Sequence, residues 1–244
     1  MDLTLVWIAL IFLPAGLAKG VIGLGLPTIG MGLLALMMAP VEAAAVLALP
    51  SLVTNVWQML AGARLVALIR RLWPMMLGVC LGTWAGAGLM TGLSARYATI
   101  ALGVALMLYA IAGLTALRFS VRASLEPILS PIVGAITGGI TAGTGVFVIP
   151  AVPYLQGIGL EKDELVQALG LSFTVSTLAL AASLAAGGVF APTMIVPTLV
   201  ALGVSLLGMW LGQLVRERLS AVVFRRCFFV GLLLLGAWLA IRAN

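Results

Sequence analysis

The sequence predicts an all-α polytopic membrane protein. It reads as two inverted repeats, each a broken or re-entrant helical hairpin followed by three transmembrane helices. Three observations predict this: an apolar composition, two glycine-rich breaks at matching places in the two halves, and a one-sided distribution of arginine. Of 244 residues, 63% are hydrophobic and 8% charged, against roughly a quarter charged in soluble domains. A small soluble domain could not hide that much apolar surface. Long apolar runs without strand alternation point to a helical bundle and away from a β-barrel.

The apolar segments, in order, are Leu3–Ala18, a glycine break, Pro27–Met38, Val41–Ala61, Leu72–Met90 and Tyr97–Leu117. The second half gives Ile128–Ile140, a second glycine break, Val146–Leu155, Leu165–Ala186, Thr193–Val215 and Val222–Ile241. Six are long enough to cross a bilayer, which takes about 20 residues. Most of the pieces flanking each break span only some 15–24 Å at about 1.5 Å per residue. The first residues, Met-Asp-Leu-Thr, carry an acid and no base, so this stretch reads as mature sequence and not as a secretory signal.

The halves match each other. Lys19–Gly25 aligns with Thr137–Gly143, "PSLVTN" (Pro50–Asn55) with "LSFTVS" (Leu171–Ser176), "GTWAG" (Gly82–Gly86) with "GMWLG" (Gly208–Gly212), and "LSAR" (Leu93–Arg96) with "LSAV" (Leu219–Val222). Four matches in order, on one segment pattern, predict a duplication. Residues 1–244 form a single transmembrane domain, with 1–120 as repeat 1 and 121–244 as repeat 2.

Arginine decides between topologies. If each broken segment crosses once, basic residues divide evenly between the two sides. If each returns the chain to its side of entry, Arg64, Arg70, Arg71, Arg118, Arg122, Lys162, Arg216, Arg218, Arg225 and Arg226 share one side. Only Arg96 and Arg242 then face the other. That bias is what the positive-inside rule requires, and it puts both termini outside a multi-pass protein of the cell inner (plasma) membrane. Paired helix breaks in inverted repeats mark secondary transporters, with substrate bound where the breaks meet. The net charge of +6 thus serves orientation in the bilayer, with no nucleic-acid partner. Cys80 and Cys227 read as small buried hydrophobes. The chain has no histidine and no CxxC, so no metal site and no cofactor are expected.

"GLAKGVIGLGLPTIGMGLLAL" (Gly16–Leu36), "PVEAAAVLALPSLVTNVWQ" (Pro40–Gln58), "GAITGGITAGTGVFVIPAVPYLQ" (Gly134–Gln156) and "LGLSFTVSTLAL" (Leu169–Leu180) resemble the TauE/SafE family, also called the sulfite exporter or TSUP family. The resemblance spans essentially the whole chain. It implies transport, usually export, of sulfur-containing anions: sulfite, sulfoacetate and related organosulfonates, sometimes thiosulfate. Many members carry a triple glycine after the break. Here Leu26-Pro27 and Thr144-Gly145 stand instead, and Lys19 occupies a position often small or polar.

The residues themselves point to a small anionic substrate. A lysine in an apolar segment is costly and a functional candidate by default, so Lys19 is either an anion ligand or a side chain snorkelling to the interface. Gly20, Gly23, Gly25, Gly143 and Gly145 free the backbone to break and to approach a ligand; close helix packing is the competing use of small residues. The helix restarting at Pro27 would present free N–H groups to an oxyanion. Hydroxyls gather likewise: Thr137, Thr141 and Thr144 at the second break, with Ser51, Thr54, Asn55, Ser172, Thr174, Ser176 and Thr177 on the next helix of each unit. Gln58 shares the face of Ser51 and Asn55. Each hydroxyl could instead bond a carbonyl of its own preceding turn. The acids Asp2, Glu42, Glu126, Glu161, Asp163, Glu164 and Glu217 all lie near segment ends, which disfavours a cation transporter or a carboxylate proton relay.

The resulting expectation is a transporter or facilitator that rocks two repeats about the paired breaks. The alternatives are an anion channel for the same substrates and, further off, a membrane-embedded enzyme or assembly factor. An enzyme lacks a nucleophile with its base here. Homo-oligomers are conceivable, since the GxxxG spacings at Gly82–Gly86 and Gly208–Gly212 pack helices either within or between chains.

Overall fold

A computed structural model describes residues 3–92, 95–115, 120–216, 218 and 220–243. Asp2, Arg118 and Glu217, and the Leu93 and Leu219 ends of the last repeat match, lie outside the described residues. The described residues form eleven α-helices and one 3-10 turn: α1 (Leu3–Ile22), α2 (Leu26–Leu34), α3 (Pro40–Leu60), α4 (Leu65–Ala85), α5 (Leu89–Gly92), α6 (Ala95–Leu114), α7 (Glu126–Thr144), α8 (Ala151–Gly157), α9 (Lys162–Ala186), the turn Pro192–Met194, α10 (Ile195–Val215) and α11 (Ala221–Arg242). Eight segments are long and apolar enough to cross a membrane: α1, α3, α4 with α5, α6, α7, α9, the 3-10 turn with α10, and α11.

Two of those eight correct the expectation of short pieces at the breaks. Helix α1 does not stop at Ala18 but continues through Lys19 and Gly20 to Ile22. Helix α7 runs to Thr144. Each break therefore joins one long helix to one short one, and at about 1.5 Å per residue α1 is about 30 Å long. The breaks themselves fall where glycine was expected. Gly23 (φ 74°) and Gly25 (φ 117°) end α1 and start α2, and Gly145 (φ 70°) ends α7. These angles lie in the left-handed region, which costs other residues about 1–2 kcal/mol. Pro27 stands in the first turn of α2, where its missing N–H costs nothing.

Glycine seams set the packing. A Cβ on Gly16 would collide with the Ser205 carbonyl, and one on Gly20 with the Met209 carbonyl. From the other side, Gly208 and Gly212 lie against Leu13 and Leu17. So α1 and α10 run in the same direction in backbone contact. In the same way Gly134 lies on Met75, Gly138 on Val79, and Gly78 and Gly82 on Pro131 and Ala135, joining α4 and α7 in parallel. Both seams are internal to one chain, which answers the choice left open for the GxxxG pairs. They also move the match by one turn: Gly78 and Gly82, not Gly82 and Gly86, occupy the places of Gly208 and Gly212.

Two antiparallel pairs complete the bundle. In α3 and α9, Asn55 meets Thr177 while Gln58 meets Val166. In α6 and α11, Gly103 meets Gly236 while Gly113 meets Phe229. Following the chain through these pairs, α1, α3, α6 and α10 run one way, and α4, α7, α9 and α11 run the other. Helices α2 and α8 are the return strokes after the breaks.

One end of the bundle therefore carries Arg64, Arg70, Arg71, Arg122, Lys162, Arg216, Arg218, Arg225 and Arg226. The opposite end carries Arg96, Arg242 and, among the described residues, the first and last helical turns. Cys80 and Cys227 are exposed on the outer face of the bundle, a correction to the buried reading. Lipid-facing and core-facing positions are equally apolar in a membrane helix, so composition does not separate them.

Candidate functional site

Lys19 lies in the last turn of α1 and is 3% exposed. It does not snorkel to a surface. Its ammonium donates to Asn55 Oδ1 on α3 and stands 5.9 Å from the centroid of the Phe173 ring on α9, within cation–π range. Asn55 Nδ2 donates to Thr177 Oγ1 at 3.2 Å, and the Thr177 hydroxyl donates to the Phe173 carbonyl at 2.7 Å. Phe173 in turn tilts against Phe147, ring centroids 5.2 Å apart, and Phe147 lies in the second break, between α7 and α8. The lysine of the first break thus touches the second break through two rings.

The hydroxyl candidates divide by residue type. Every threonine at the second break bonds its own helix: Thr137 to the Val133 carbonyl, Thr141 to Thr137 and Thr144 to Ile140, at 2.7–2.8 Å. Thr144 Oγ1 also accepts the Val146 N–H at 3.1 Å, which caps the end of α7. Thr54, Thr174 and Ser205 do likewise. Ser51, Ser172 and Ser176 do not: all three are buried, and none of their hydroxyls has a partner among the described residues. Gln58 donates Nε2 to the Val166 carbonyl at 3.0 Å and leaves Oε1 without a partner. A buried polar atom without a partner is costly; three such serines lie on the paired helices α3 and α9, and Ser130 on α7 is a fourth.

The glycine candidates divide too. Gly23 faces the Gln58 amide, 3.5 Å from where a Cβ would sit. Gly25 is the N-cap of α2 and accepts from the Thr28 hydroxyl at 3.1 Å. Gly20 is turned to α10, where its lack of a side chain serves packing. Gly143 is buried, yet a Cβ there would meet nothing within 4 Å.

Thr177 was among the hydroxyls read from sequence, and two further contributors were left out, Phe173 and Gln167. Thr177 orients Asn55, and Phe173 faces Lys19. Gln167 donates to the Met59 and Gly62 carbonyls and accepts from Arg64 N–H, pinning the α3–α4 turn. Thr177 was visible in the "SFTVST" run; nothing in sequence marks Phe173 or Gln167.

The ends of the bundle differ. At the arginine-rich end, Arg71 makes a bidentate pair with Glu126 (2.7 and 2.8 Å) and donates to the Ile158 carbonyl at 2.8 Å, tying α4, α7 and the chain after α8 together. At the other end two clefts of about 200 and 280 Å³ share Met90 and Thr91. The larger reaches Ala142 beside the second break.

A family model described as "Sulfite exporter TauE/SafE" matches residues 8–239. The chain belongs to the TauE/SafE family. No curated protein and no solved structure matches it. Membership in TauE/SafE places the chain among membrane transporters of sulfite and other sulfur anions, and the eight apolar spans make it a multi-pass membrane protein.

Proposed function

We propose that the protein is a secondary transporter or facilitator that exports a small sulfur-containing anion, sulfite or an organosulfonate such as sulfoacetate, by alternating access at the paired breaks. The observation that carries this reading is Lys19: a buried ammonium on α1 with no acidic partner among the described residues, held against α3 and α9. The binding set is Lys19, Ser51, Asn55, Gln58, Ser172 and Ser176. Gly23 and Gly25 shape the first break; Thr137, Thr141, Gly143 and Thr144 shape the second.

The opposite directions of α1 and α7, α3 and α9, α4 and α10, and α6 and α11 support two inverted repeats meeting near residue 120. The arginine-rich end is cytoplasmic on this reading, with both termini outside an inner (plasma) membrane. An inside-negative potential favours anion exit by about 2.3 kcal/mol per charge per 100 mV. A carrier is favoured over a channel because the clefts open at one end while the Arg71–Glu126 pair ties the other.

Proteoliposomes test the reading. Sulfite or sulfoacetate flux above protein-free vesicles, saturating with concentration and without single-channel steps, is the expected result. Movement of a cation with no sulfur anion flux would sink it.

A further inference from the structure

We infer that Gln167 is the latch of an inner gate: it holds α9 against α3 at the arginine-rich end, and that crossing must part for an anion to pass there. The inference rests on the alternating-access reading above and adds the residue that closes one end.

The placement of α3 and α9 carries it. The glycine seams fix α1 to α10 and α4 to α7. Helix α3 is joined to the first of these pairs: Asn55 accepts from Lys19 on α1, and α3 packs on α10. Helix α9 packs on α4. The α3–α9 crossing therefore spans the gap between the seamed pairs, which alternating access opens at one end and then at the other.

The crossing is graded along its length. At the arginine-rich end it is tight. Gly170 of α9 lies directly on the backbone of Gln58 and Met59, where a Cβ would collide with the Met59 nitrogen. About one turn nearer that end, Gln167 is 2% exposed. It spends both amide hydrogens and its oxygen on α3 and the turn after it. Nε2 donates to the Met59 and Gly62 carbonyls at 2.8 and 2.7 Å, and Oε1 accepts the Arg64 N–H at 3.0 Å. Gln58 answers from α3, donating to the Val166 carbonyl at 3.0 Å. Toward the opposite end Asn55 donates to Thr177 at 3.2 Å, and beyond it the walls of the two clefts begin. Pro40 and Val41 of α3 wall the smaller cleft, Leu180 and Leu184 of α9 wall the larger, and Met90 and Thr91 line both.

The chemistry of the clamp suits a joint that opens and recloses. Its bonds join neutral groups, which exchange them for bonds to water at small net cost; a buried ion pair at the same place would resist parting. The Arg64–Glu164 pair lies outside the clamp at 3.7 Å, with 70% of the Arg64 side chain exposed, and an exposed pair of this kind holds little. The Arg71–Glu126 pair braces the same end from within the α4–α7 seam, so it can stay formed while the crossing opens.

The experiment uses the full-length protein with Cys80→Ala and Cys227→Ala, which remove both native thiols. Two cysteine pairs are added in turn: Arg64→Cys with Glu164→Cys across the crossing, and Arg71→Cys with Glu126→Cys within the seam. Each is joined by a short bismaleimide in detergent, then reconstituted, and sulfite and sulfoacetate flux is compared with the same protein left unlinked. Linking 64 to 164 should lower flux at least tenfold, and linking 71 to 126 should leave it within twofold. A second arm adds Gln167→Leu, which removes all three amide bonds. The linking yield of 64 to 164 should then fall at least threefold while that of 71 to 126 holds; a general loss of folding would lower both. Undiminished flux with 64 linked to 164, or equal loss on linking either pair, overturns the gate and leaves the transport reading standing. Unchanged 64–164 yield in Q167L removes Gln167 as the latch. Absence of flux in the unmodified protein overturns this inference and the transport reading together.

Discussion

The two breaks have the same backbone plan and opposite chemistry. Each joins a long helix, α1 or α7, to a short returning one through positive-φ glycine. At the first break the polar group is Lys19, and its bonding capacity is mostly unspent. At the second, Thr137, Thr141 and Thr144 spend their hydroxyl hydrogens on carbonyls of the preceding turn. The first break is thus chemically open and the second chemically closed, although both read as polar, glycine-rich interruptions. The backbones match at the two places, and the side chains set them apart.

The sharpest way to break this contrast is Lys19→Met. Losing one partner of a buried charge pair typically costs 2–5 kcal/mol, so K19M should weaken sulfonate binding by at least about thirtyfold in a nanodisc assay. Unchanged affinity would move the site away from the first break.

The next effect is on stability and treats the breaks alike. Gly20→Ala and Gly138→Ala each drive a methyl into a facing backbone carbonyl, of Met209 and Val79 respectively. Overpacking of this kind costs about 1–3 kcal/mol, so both variants should unfold earlier by a similar margin in a thermal melt. A large loss in one and none in the other would show that the seams are not equivalent.

The smallest pair separates serine from threonine. Ser176→Ala removes an unspent donor and should weaken binding by about fivefold, near the 1 kcal/mol net value of one hydrogen bond. Thr141→Val removes a hydroxyl already bonded within α7, and affinity should stay within about twofold of the parent. The reverse order would relocate the donors to the second break.

Much of the fold was legible before the structure. Apolar runs located the long helices, and glycine located the breaks. What escaped had physical reasons. Lys19 and Gly20 look like the end of a helix, yet α1 passes through both because α10 needs Gly20 bare and Asn55 receives the lysine. Gly78, Gly82 and Gly86 are equally spaced, so their register against Gly208 and Gly212 is ambiguous until backbones touch. The serines and threonines of the site have the same hydroxyl chemistry. Their difference is whether the hydrogen finds a carbonyl one turn back, which rotamer and packing decide. Lys19 itself was the most legible residue, because a charge in an apolar run has few explanations.

The glycine seams constrain motion as well as packing. Helix α1 belongs to the first half of the chain and α10 to the second, yet their backbones interlock without intervening side chains; α4 and α7 repeat the exchange. Sliding residues 1–120 against residues 121–244 would shear both seams at once. A motion that keeps them intact carries α1 with α10 and α4 with α7. The bodies that move are then stitched from both halves, and the boundary between them is drawn by contact, not by the order of the chain.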